Sequence, residues 1–170
     1  MVDDPTRGIP STAAIGGHPI HPMLVPFPIA FLVAALVTDI AFAVTNDPFW
    51  ARVSMWLIGG GLVMGALAAL AGLTDFLTIR RARQATGWFH FLGNAAALLI
   101  ALANLWMRID EPGAGVMPVG VVLSAIVVGI LLVTGWLGGE LAYRHKIGVI
   151  EDAEPHTAER PATRSTTRPV

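Results

Sequence analysis

An all-α fold, a bundle of four transmembrane helices running up-down-up-down with both termini in the cytoplasm, is what this sequence predicts. Three observations carry that reading. Four apolar stretches are each long enough to cross a bilayer, the links between them are short, and the basic residues gather on one side of the implied membrane. Composition agrees: of 170 residues 54% are hydrophobic and only 14% charged, against about 25% charged in soluble domains. Mean hydropathy is +0.64. This length suits a single domain.

A hydrocarbon core about 30 Å thick needs roughly 20 apolar residues in a helix. Residues 23–44 meet this with Asp39 as the single charge. Residues 53–73 carry none. Residues 88–107 include His90, Asn94 and Asn104, and residues 116–139 are rich in Val, Leu, Ile and Gly, without charge. Helices that are apolar all round have no polar face to give to water. The polar, Gly-containing start, residues 1–17, lacks a basic region leading into a short apolar run, so the first stretch is read as a retained span rather than a cleaved signal. The membrane domain is then residues 18–150. Residues 151–170, polar and holding three prolines, read as a disordered tail.

Short links make successive helices antiparallel neighbours. Gly61, Gly65, Ala68 and Gly72 form a small-residue stripe on the second helix. Such a stripe admits a close backbone, either of another helix in the bundle or of a second copy in a homo-oligomer. Arg7, Arg80, Arg81, Arg83, Arg144, Lys146, Arg160, Arg164 and Arg168 share one side, and Arg52 and Arg108 have the other. The positive-inside rule puts the RRAR loop in the cytoplasm and the protein in the inner membrane of the cell.

Polar residues converge on that cytoplasmic boundary. His18 and His21, in HPIHP, precede the first span, Asp75 ends the second, His90 starts the third, and Glu140 and His145 follow the fourth. Their i, i+3 spacing places His18 and His21 on one face if the segment is helical. From His90 a stripe of Asn94, Ala97, Ala101 and Asn104 should face the bundle interior. Glu140 at a helix C-terminus opposes the helix dipole by a few tenths of a kcal/mol, so Arg80, Arg144 or a bound cation should offset it. Asp39 would cost roughly 2.5–3.5 kcal/mol on insertion. The partners at its depth are Asn104, Arg108 or Arg52, and a structural ion pair is the expected outcome.

Two chemistries suit the convergent set. A b-type haem takes axial imidazoles from facing helices, here His18 or His21 opposite His90 or His145. A lone transition metal would take His21, Asp75, His90 and Glu140, a mixed nitrogen and oxygen set. Without cysteine there is no disulfide, thiolate metal site, iron–sulfur cluster or c-type haem attachment. A net charge of −1 offers no polycationic face for nucleic acid. Familiar hydrolase and nucleotide motifs are absent. The reading is therefore a protein of membrane electron transfer that is not a stand-alone enzyme, with a structural subunit or a small proton-coupled transporter as the alternatives.

The segments IGGHPIHPMLVPFPIAFLVAALVTDIA, AGLTDF, WFHFLGN and GWLGGELAYRHKIGV resemble the bacterial membrane proteins known as domain of unknown function 2231, over about residues 15–150. The resemblance implies four membrane helices. Some relatives carry a Rieske-type or cytochrome-like domain on the same chain, which implies a redox setting. As this chain has no such domain, its partner would be a separate protein or a quinone.

Overall fold

The computed structural model describes residues 7–149. The predicted tail at 151–170 lies outside them. Residues before the first span form a small hairpin, β1 (Ala14–Ile15) pairing antiparallel with β2 (His18–Pro19). Gly16 and Gly17 make its two-residue turn at φ +57° and +82°, backbone values that glycine adopts without strain. Helix α1 (Ile20–Leu24) runs through Val25, itself right-handed helical, into α2 (Pro26–Thr45), so that one span covers Ile20–Thr45. Asn46, left-handed at φ 53°, ends it. Asp47 then caps α3 (Pro48–Thr78) by accepting the Phe49 N–H at 2.9 Å, with Pro48 at the first helical position.

At 31 residues, α3 is about 46 Å long and overshoots the hydrocarbon core. A tight turn at Arg80–Arg83 leads to α4 (Ala85–Trp106). The fourth span, Pro112–Arg144, is broken. A short α5 (Pro112–Gly115) meets α6 (Val121–Gly139) across a kink where Met117 is extended (φ −109°, ψ 136°), and a wider turn follows at Glu140–Arg144. Helix α2 packs on α3, α3 on α4, α4 on α6 and α6 on α2. The predicted four-helix up-down-up-down bundle is the observed fold.

Packing is inverted relative to a water-soluble bundle. Small residues fill the middle: Ala35, Ala51, Gly61, Gly65, Ala68, Ala97 and Ala101 are buried, while Val37, Leu70, Leu99, Leu132 and Trp136 point outward. Lipid gives a large apolar side chain no reason to turn inward, so close backbone contact decides what goes inside. The stripe on α3 shows this directly. A methyl group added at Gly61 would stand 2.9 Å from the Leu32 side chain of α2, and one at Gly65 would stand 2.6 Å from Leu98 of α4. The small stripe therefore seats helices of its own bundle.

Candidate functional site

Polar groups collect at two depths. The first is at the end of the bundle away from the described termini. Arg108, just beyond α4, and Asp39 of α2 are both fully buried, paired through Nη1–Oδ1 at 2.6 Å and Nη2–Oδ2 at 2.9 Å. Ser54 of α3 and Ser124 of α6 donate to the two oxygens of Asp39 at 2.5 and 2.6 Å. Asn104 accepts from Arg108 Nε and Nη2 at 3.0 and 2.8 Å and donates to Ser124 Oγ and to the Gly120 carbonyl.

Ser54 also accepts from Arg108 Nη1 at 2.7 Å, so all five guanidinium hydrogens have a partner. Glycine makes the room: a methyl group on Gly115 or Gly120 would stand 2.8 Å from the Arg108 side chain. Each long helix contributes to one closed network in which every charge and hydrogen is answered. Arg52, the third partner considered for Asp39, is exposed and takes no part.

The second depth lies at the opposite end. His21 of α1 and His90 of α4 face each other with ring centroids 6.2 Å apart and planes at 86°. His21 Nδ1 is 2.8 Å from the Ala68 carbonyl of α3, and His90 Nδ1 is 2.9 Å from the Thr134 carbonyl of α6. A carbonyl can only accept, so both Nδ1 atoms carry hydrogen; Nε2 of His21 has no partner among the described residues, and Nε2 of His90 has only the long contact to Asn94. Asn94 Nδ2 lies 3.5 Å from both nitrogens of His90 but makes its short bond, 2.7 Å, to the His90 carbonyl. Its Oδ1 accepts from Thr134 Oγ1 at 3.2 Å. Both rings lie in glycine hollows: a methyl group at Gly72 would stand 2.8 Å from His21 Nδ1, and one at Gly138 would stand 3.1 Å from His90 Cε1.

The other predicted ligands are elsewhere. Asp75 is buried under the N-terminal segment, accepting from Ser11 Oγ, Thr12 Oγ1 and the backbone N–H groups of Thr12 and Ala13 at 2.7–3.0 Å. Glu140 pairs with Arg144 at 3.2 Å, an i, i+4 contact with Arg144 mostly in solvent, so one of the partners expected to offset it does so. Among the described residues no three histidines, aspartates or glutamates come together in one group. The four-residue set His21, Asp75, His90 and Glu140 is therefore not assembled.

His18 and His21 do not share a helix face, because the Gly16–Gly17 turn puts His18 in β2 and the helix begins only at Ile20. His18 is exposed and bonds back to Gly16 O at 3.0 Å. His145 follows the last turn, and its backbone N–H bonds to the Glu140 carbonyl.

Sequence reasoning missed Ser54, Ser124, Thr134 and the Ala68 carbonyl. Two signals could have found them. His21 precedes Asp39 by 18 residues and His90 precedes Arg108 by 18, which is five helical turns and so the same face. Each carbonyl that holds a ring comes from a small residue four positions before a glycine, Ala68 before Gly72 and Thr134 before Gly138. The two helical hairpins repeat one design, an imidazole at one end and a charge at the other.

Among curated proteins and solved structures nothing matches this chain. A family model does, over residues 17–151, and that range contains both histidines of the pair and every residue of the Asp39–Arg108 network. With so much of its length matched, the chain belongs to the family described as predicted membrane protein DUF2231.

Proposed function

We propose that this protein binds a transition-metal centre between His21 and His90, at the cytoplasmic face of the inner membrane, and serves membrane electron transfer. The metal is either a lone ion or the iron of a b-type haem, since both take neutral imidazole nitrogen. One observation carries the reading: two rings from separate helical hairpins meet with Nδ1 of each tied to a helix carbonyl. Metal-ligating histidines are commonly held in this way, because the second hydrogen bond fixes the tautomer and aims the other nitrogen.

No carboxylate is needed in this centre. Porphyrin nitrogens, or water on a lone ion, would complete the coordination. A redox protein or a quinone would exchange electrons with it.

An absorption spectrum of the detergent-purified protein, with metal content measured on the same sample, tests the proposal. A Soret band identifies haem. One equivalent of metal without colour, lost on either His21→Ala or His90→Ala, identifies a lone ion. Neither band nor metal in the wild type overturns the proposal.

A further inference from the structure

At the end opposite the histidine pair, an open groove of about 420 Å³ runs between α2 and α3. Phe31, Phe49, Trp56, Leu57 and Gly60 make its walls, with Arg52 as the one charged residue lining it. Gly60 keeps the floor low, since a methyl group there would touch the Phe31 ring at 3.5 Å. Trp56 is 75% exposed and Phe49 50%, so the groove faces the surroundings of the bundle.

Arg52 is out of place by two physical measures. It lies in the second turn of α3, near the positive end of the helix dipole, where a cation is disfavoured. It also has no hydrogen bond or ion pair within the described residues, whereas Arg108, the other arginine at this end, is wholly consumed by Asp39, Ser54 and Asn104. An unanswered guanidinium in the first turns of a span lies at headgroup depth. Eight residues on, at about 1.5 Å each, Gly60 lies deep enough to meet hydrocarbon. Guanidinium suits phosphate, aromatic side chains suit the interface, and the glycine-floored trough suits an aliphatic chain.

We infer that the α2–α3 groove is a binding site for one anionic phospholipid, its phosphate on Arg52 and an acyl chain along Trp56 towards Gly60. Native mass spectrometry of the full-length protein, given equal amounts of phosphatidylglycerol and phosphatidylcholine with matched chains, is the test. The wild type should retain the anionic lipid several-fold over the zwitterionic one. Arg52→Gln should level the two, Arg52→Lys should keep part of the preference, and Gly60→Leu should reduce retention of both.

Equal retention by the wild type overturns the inference. So does a preference that survives Arg52→Gln, which would put the anion on the basic cluster at the other end. A dimer broken by Gly60→Leu would make a second copy the occupant, and that also overturns it. As a check independent of lipid mass, Trp56 as the single tryptophan, with the other four replaced by Phe, should be quenched more strongly by brominated phosphatidylglycerol than by brominated phosphatidylcholine.

Discussion

The two polar sites of this bundle differ in how completely they are satisfied. Around Asp39 and Arg108 each acceptor and hydrogen has a partner within the protein, drawn from all four long helices, with both charges out of contact with solvent. At His21 and His90 each ring has one nitrogen fixed by a backbone carbonyl, while the other is without a partner among the described residues in His21 and has only a 3.5 Å contact from Asn94 in His90. A closed network has nothing to offer a ligand and holds helices together. A half-satisfied pair of rings, held in orientation, has two lone pairs to give. Between the two lies an apolar core of Leu32, Ile58, Ala97, Ala101 and Leu131.

The sharpest way to break the comparison is to attack the closed network. Arg108→Met leaves Asp39 buried without its counter-charge and should cost about 3–5 kcal/mol, read as a fall in the midpoint of detergent unfolding. The double variant Asp39→Leu/Arg108→Met should regain much of that loss. If the single substitution is silent, the network is not what welds the helices.

Overpacking comes next. Gly72→Ala drives a methyl group against the His21 ring and should cost about 1–3 kcal/mol. It should also release bound metal, whereas Gly129→Ala, where an added methyl group meets nothing within 4 Å, should do neither. Asp75→Asn keeps one acceptor oxygen but loses the charge that gathers Ser11, Thr12 and Ala13. It should cost about 1 kcal/mol and raise the rate of proteolysis in the N-terminal segment at unchanged metal content.

A small stability effect is expected at the histidines themselves. The carbonyls of Ala68 and Thr134 are helical and keep their own backbone bonds, so His90→Ala should cost under about 1.5 kcal/mol while abolishing metal binding. A large loss of stability at His90, with metal retained, would make the ring a structural strut and erase the contrast between the two ends.

Much of the fold was legible in the sequence, because crossing a membrane imposes a length and a hydrophobicity on each helix that nothing else in the chain imitates. The Asp39 pairing was also within reach: one charge in a span needs an opposite charge at the same depth, and Arg108 was one of few at hand. The fate of the carboxylates was not. Asp75 and Glu140 stand at helix ends at the right depth for ligands, but local partners claim them first. A residue's depth can be read from its place in a span, while the direction of its side chain depends on helix rotation and on short neighbouring segments.

The number of helices, their alternation and their membrane setting were determined by the sequence alone, through the spacing of apolar runs and the cost of leaving backbone polar groups unpaired in lipid. Which imidazoles meet was decided only in the tertiary structure. That pairing depends on where α1 and α4 are turned against α3 and α6, and the glycine hollows at 72 and 138 set that rotation through contacts between residues far apart in the chain.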